Sequence, residues 1–136
     1  MRVVLDSNIY VAALTLPGGH ADVALGAALT GRYVALLSEP ILGETLGVLG
    51  RKFRRDKEEL ARVALFLSEL AEHVSPRTRL SILRDEPDNR VLECATEGGA
   101  ELIVTGDKAM LRLGRFQGVE ILSLRAFLSR LESLER

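Results

Sequence analysis

Apolar positions along this chain alternate between short runs rich in β-branched residues and longer stretches with apolar side chains three and four apart. The short runs fit buried strands and the longer stretches fit amphipathic helices. Arg2 to Leu5 reads as a strand, and Ser7 to about Leu14 as a helix that Pro17-Gly18-Gly19 breaks. A second helix is predicted from His20 to about Thr30, stopping at Gly31, and Tyr33 to Leu37 reads as a second strand. Ser38, Glu39 and Pro40 supply a capping hydroxyl, an early acid and a proline where no donor is needed. A helix is therefore predicted from there to about Phe53. Asp56 caps the next helix, which sets Leu60, Ala64, Leu67 and Ala71 at helical spacing.

Leu80 to Leu83 predicts a short strand, and Asp85 to Asn89 a loop leading into a helix through Cys94 to about Glu97, ended by Gly98-Gly99. Leu102 to Thr105 is a strand, Lys108 to Leu113 a short helix, Val119 to Leu122 a strand, and Leu124 to about Leu134 a terminal helix. Strands separated by helices imply parallel pairing with right-handed crossovers. The expected architecture is a single α/β domain over residues 1–136, with a central parallel β-sheet flanked by helices on both faces.

Composition narrows the classes of function. At 136 residues the chain buries about two-thirds of its unfolded surface, enough for a core without disulfides or structural zinc. Apolar residues make up 47%, but aromatics only 4%, so Leu, Val, Ile and Ala must fill the interior. The 18 Lys and Arg against 19 Asp and Glu give a formal charge of −1, which excludes a purely electrostatic nucleic-acid binder. Cys94 stands alone, so neither an internal disulfide nor a Cys-based zinc site is expected. No apolar run approaches the roughly 18 residues of a membrane span. The amino terminus reaches Asp6 too early for a secretory signal, so a cytoplasmic location is expected.

Asp6, Glu44, Asp88 and Asp107 are the candidate chemistry. Asp6 and Asp107 follow predicted strands, at the edge where open α/β sheets build their sites. Each could equally cap the helix after it. Ser7 and Asn8 directly after Asp6 add two hydrogen-bonding side chains at the same turn, which suits a cation site with supporting partners. Glu44 shares a helix face with Ile41 and Val48, where a structural glutamate is uncommon because burying a lone charge costs several kcal/mol. Gly43 and Gly47 beside it are expected to let another element approach closely. Asp88 lies in the first turn of its helix, where capping is the plain alternative, and Asp85 and Glu86 compete with it.

Two unscreened carboxylates about 4 Å apart repel by about 4 kcal/mol at an effective dielectric near 20. Such a cluster raises the pKa of at least one member unless a cation is present. A carboxylate-held Mg²⁺ or Mn²⁺ is the usual tool for cutting a phosphodiester. The basic stretch Arg51, Lys52, Arg54 and Arg55 reads either as a phosphate contact or as a solvated helix end that complements the dipole. His20 and His73 are lone residues, read as structural.

Leu5-Asp6-Ser7-Asn8, Ser38 through Glu44, Asp85 through Glu93, and Val104-Thr105-Gly106-Asp107 resemble the successive motifs of PIN-domain ribonucleases. The Lys52 to Arg55 segment and the Leu80 to Asp88 run are similar to the family's small prokaryotic branch, the VapC-like toxins of toxin–antitoxin pairs. The resemblance spans Arg2 to about Leu128. It implies a PIN-like sheet sandwiched by helices and a metal-dependent endoribonuclease using one or two Mg²⁺ or Mn²⁺ ions. It also implies Asp6, Glu44, Asp88 and Asp107 as the metal-binding catalytic set, with Asn8, Thr105 and Asp85 in support and Ser7, also supporting, where the family more often has Thr. Asn89 stands where this branch is frequently acidic, and Glu86-Pro87 alter the loop before it, so Asp85 remains the rival for the third acid. Implied partners are RNA, a small antitoxin that covers the crevice, and a second copy of the chain.

Two other classes fit parts of the pattern. One is a non-catalytic binding module with a vestigial acidic site. The other is an aspartyl phosphatase or phospho-acceptor domain, although Asn8 stands where the phosphatase wants a second Asp and Lys108 is only a loose match for the acceptor's lysine.

Overall fold

A computed structural model describes residues 1–135; Arg136, the last residue of the expected domain, lies outside the described residues. Strand β1 (Arg2–Leu5) leads through α1 (Ser7–Thr15) and α2 (His20–Leu29) to β2 (Val34–Leu37). Helices α3 (Glu39–Lys52) and α4 (Lys57–Leu70) then precede the two-residue β3 (Glu72–His73). Helix α5 (Glu86–Glu97), β4 (Leu102–Val104), α6 (Lys108–Leu113), β5 (Arg115–Phe116), β6 (Val119–Leu122) and α7 (Leu124–Leu134) complete the chain.

The six strands form one sheet in the order β3-β2-β1-β4-β6-β5. Every neighbouring pair is parallel except β5 with β6, so the sheet is mostly parallel with one antiparallel edge. Val3, Val4, Leu5, Leu102, Ile103 and Val104 are all buried, so successive side chains on both faces of the central strands are covered. That is the mark of a parallel sheet packed between helices. Connections leave β1 toward β2 on one side, while β4 lies on the other. The strand order thus reverses between β1 and β4, and a crevice opens at their carboxyl ends.

Several expectations need correcting. Leu80 to Leu83 is not a strand but part of an extended segment that joins no sheet. Helix α5 starts at Glu86, so the expected loop from Asp85 to Asn89 shrinks to a turn ending at Asp85. Pro87 in the first turn costs no helical hydrogen bond, which allows the early start. Strands β3 and β5, each two residues long, were below the reach of a periodicity argument. An added Cβ at Gly43 would meet nothing within 4 Å, and one at Gly47 would meet only the end of the Arg51 side chain. Close approach of another element therefore explains neither glycine. It does explain Gly98, where a Cβ would stand 2.7 Å from the Cys94 carbonyl and 2.9 Å from Leu36 Cδ1.

Candidate active site

The register sets the floor of the crevice. Leu5 pairs with Val104, so the next residues on each strand, Asp6 and Thr105, emerge side by side. Thr105 Oγ1 donates to Asp6 Oδ2 at 2.7 Å and accepts from the Asp107 N–H at 3.0 Å. Asp6 Oδ1 accepts from the Ser7 N–H at 2.7 Å while Asp6 serves as the N-cap of α1. Asn8 Nδ2 donates to Asp6 Oδ2 at 3.4 Å, and Asn8 Oδ1 accepts from the Gly106 N–H at 3.2 Å. Ser7, Asn8 and Thr105 therefore lock the β1 and β4 turns together around one carboxylate.

Glu44 reaches the same space from α3, half-buried, and accepts from Ser7 Oγ at 3.2 Å. Asp107 is both a helix cap and a cleft residue: its Oδ1 accepts from the Met110 N–H at 2.9 Å. Capping and cleft membership are thus not alternatives here. Asp88 enters from the first turn of α5, 7% exposed, and its Oδ2 is buried with no hydrogen-bond partner. Asp85 joins it from the residue before the helix, and one oxygen each of Asp85, Asp88 and Asp107 lie within 4.8 Å of one another. Asp85 and Asp88 both line the cleft.

Asp6, Glu44, Asp85, Asp88 and Asp107 line one cleft of about 470 Å³. Burial pushes the Asp6 carboxyl above its ordinary value, the Thr105 and Ser7 hydrogen bonds oppose that, and repulsion from Glu44 and Asp107 adds to it. Asp88 moves further, from 3.8 to about 7, first through burial and then through the charges of Asp107, Asp6, Asp85 and Glu44. A partnerless buried carboxylate oxygen costs about 1–3 kcal/mol, and five acids in one cleft repel. Both penalties fall if a cation binds. All-oxygen donors of this kind suit a hard dication such as Mg²⁺ or Mn²⁺.

The basic stretch divides. Lys52 lines the cleft, and Arg51 and Arg54 are exposed. Arg55 instead donates to the Leu14 carbonyl at 3.0 Å and sits 3.8 Å from Glu59, so it ties α1 to α4. Asn89 lies outside the cleft, fully buried, with its amide bonded to the backbone of residues 82 and 83. Sequence reasoning missed the cleft's apolar end, formed by Val11, Leu16, Val48 and Phe53. Leu16 and Phe53 are 62% and 45% exposed, and nothing in their periodicity distinguishes them from ordinary helix-end residues. A larger cavity of about 530 Å³ between α2 and α7 gathers no acids comparably; Arg32 on its rim pairs with Glu135 at 2.6 Å.

A PIN domain family model matches residues 2–109. Uncharacterized protein MJ1680 of Methanocaldococcus jannaschii is 29% identical over 117 residues, which cover 83% of this chain and 75% of that one. A chain in the crystal structure of Rickettsia felis VapBC2, bound to a DNA fragment from their promoter, superposes with a TM-score of 0.64 at 16% identity. The match covers 90% of this chain and 98% of that one. Mycobacterium tuberculosis VapC20, a sarcin-ricin loop cleaving toxin, superposes with a TM-score of 0.58 at 18% identity over 87% of this chain and 98% of that one. The structural likenesses carry the fold, and the family model covers most of the chain: it belongs to the PIN domain family.

Proposed function

We propose that this protein is a Mg²⁺- or Mn²⁺-dependent endoribonuclease that hydrolyses RNA phosphodiester bonds, acting in the cytoplasm as the toxin of a toxin–antitoxin pair. The observation that carries this reading is the convergence of five carboxylates on one cleft, with a buried Asp88 oxygen left without a partner. Membership of the PIN family and the fold likeness to VapBC2 and VapC20 support it.

In this reading Asp6, Glu44, Asp88 and Asp107 hold one or two ions, and Asp85 adds a further oxygen. Such an ion offsets the charge of the phosphodiester and makes water a better nucleophile at neutral pH. The chain's own residues do the rest. Thr105, Ser7 and Asn8 fix the Asp6 carboxylate, so no reorganisation is needed when substrate arrives. The Asp88 carboxyl, pushed up to about 7 by burial and neighbouring charge, would hold the ion in its deprotonated form. Lys52 at the cleft edge offers a positive charge to the RNA backbone. The exposed apolar end of the cleft suits a small antitoxin that covers the crevice, and a second copy of the chain is a further proposed partner.

The test is cleavage of RNA by the purified protein with Mn²⁺ or Mg²⁺. Asp6→Asn and Asp107→Asn are expected to lower the rate beyond the ~100-fold that loss of an outer hydrogen-bonding partner can cost. Undiminished cleavage by either variant, with native circular dichroism, would remove these acids from the site. Relief of toxicity by a short reading frame immediately upstream would test the pairing with an antitoxin.

A further inference from the structure

Helix α5 carries a polar stripe that spends its hydrogen bonds on the backbone of residues 77–83. Glu97 accepts from the N–H groups of Arg77 and Thr78 at 2.9 and 2.7 Å. Glu93 accepts from the Leu80 N–H at 2.7 Å, and Arg90 donates to the Leu80 carbonyl at 2.8 Å. Asn89 accepts from the Ile82 and Leu83 N–H groups at 2.9 and 2.8 Å and donates to the Leu83 carbonyl at 2.8 Å. Its amide also stands 3.5 Å from the Asp85 carbonyl, the outer limit for such a bond. This explains why the segment lies flat without a strand partner: side chains satisfy the backbone groups that a sheet would.

The consequence falls on Asp85, two residues past that grip. Asp85 occupies the N-cap position of α5, where aspartate ordinarily accepts an N–H from the first turn. Asp56 and Asp107 do so at their own helices, accepting from the N–H groups of Glu59 and Met110, each at 2.9 Å. Asp85 makes no such bond, although the position is right. One of its oxygens lies instead within 4.8 Å of one oxygen each of Asp88 and Asp107, and Asp88 also carries a buried oxygen without a hydrogen-bond partner.

We propose that Asn89 is a positioning residue for the cation: by fixing residues 82–85 it commits Asp85 to the acid triad instead of to helix capping. This rests on the metal-dependent reading above. Asn89 itself is wholly buried and lies outside the cleft, so any effect it has on the ion passes through Asp85. Asparagine suits the place because one end of its amide accepts two N–H groups while the other donates to a carbonyl. Aspartate would keep the first pair and set an oxygen against the Leu83 carbonyl.

The test is calorimetric titration of Mn²⁺ into the wild-type chain, Asn89→Ala, Asp85→Asn and the double variant, with a thermal melt of each. Each single change is expected to weaken Mn²⁺ binding about tenfold, the scale of losing a ligand's supporting partner. The double variant is expected to bind no more weakly than Asp85→Asn alone, because the two residues act in series. A loss of fold stability alone would lower the melting temperature without producing that non-additivity. Asn89→Asp, which keeps the accepted bonds, is expected to fall between wild type and Asn89→Ala, and it completes the same cycle if the alanine variant does not fold. Wild-type affinity in the Asn89 variants, or losses that multiply in the double, would overturn the proposal. A wild-type chain that takes up no Mn²⁺ would remove the metal-dependent reading itself, and this inference with it.

Discussion

The two walls of the cleft solve the problem of holding a buried acid in opposite ways. On the β1–β4 wall, Asp6 receives hydrogen bonds from Ser7, Thr105 and Asn8, so the protein supplies what water would have given. On the α5 wall, Asp88 has a buried oxygen with no partner, and Asp85 forgoes the cap its position offers. Hydrogen bonds to the charged form lower a carboxyl's proton affinity, while burial and like charges raise it. The contrast follows: donors moderate the upward push on Asp6, and nothing moderates that on Asp88, which reaches about 7. One wall is finished by the fold. The other leaves its acids without such donors.

The contrast can be broken from the finished side. Thr105→Val removes the hydroxyl that donates to Asp6 and accepts from the Asp107 N–H, at nearly constant volume. It is expected to lower Mn²⁺ affinity or RNA cleavage by about 10–100-fold. An unaltered Mn²⁺ isotherm and an unaltered cleavage rate would mean that Asp6 does not depend on its donors.

A smaller effect, of opposite sign, is expected from the unfinished wall. In the metal-free protein Asp88 is protonated up to about 7, whereas the unfolded chain loses that proton near 3.8. Between those values the native state binds more protons, so stability falls as pH rises through the window and is level above it. Asp88→Asn cannot ionise and removes that decline. A tenfold change in proton affinity corresponds to about 1.4 kcal/mol, but the cleft opens to solvent and screens the group. The expected gain is therefore about 1–2 kcal/mol at pH 7 and above, vanishing below about pH 4. Urea unfolding in chelator across that range would measure it, and a variant less stable than wild type at neutral pH would show that Asp88 is not strained.

How far the sequence revealed this molecule depends on where each residue's partners come from. The strands β1 and β4 and the helices α3 and α4 were legible because their apolar periodicity is local; the expected Asp56 cap forms, whereas Ser38 stands at the start of α3 with its hydroxyl making no cap bond. Leu80 to Leu83 misled because its apolar pair, Leu80 and Leu83, packs on the core as a strand's would. Its backbone partners, Glu93 and Asn89, come from a helix, and no local pattern announces that. That Asp6, Glu44, Asp88 and Asp107 line one cleft was expected from three places at strand ends or a helix start and, for Glu44, from the apolar face of α3. Asp85 was read as a neighbour of that set, but that its side chain forgoes the helix cap and joins Asp88 and Asp107 was not legible, because no local pattern announces it. Arg55 was read either as a phosphate contact or as part of a solvated helix end, and neither reading anticipates its bond to the Leu14 carbonyl, which only the fold brings within its reach.

If a dication completes the α5 wall, its binding expels the Asp88 proton, and calorimetry reads that release. Mn²⁺ would be titrated calorimetrically near pH 6 in buffers of different ionisation enthalpy, for the wild-type chain and for Asp88→Asn. Because the Asp88 carboxyl is pushed up to about 7, binding is expected to release close to one proton, with that coupling gone in the variant. A wild-type chain that gives no Mn²⁺-dependent heat, or binds the ion with no buffer-dependent enthalpy, would contradict it.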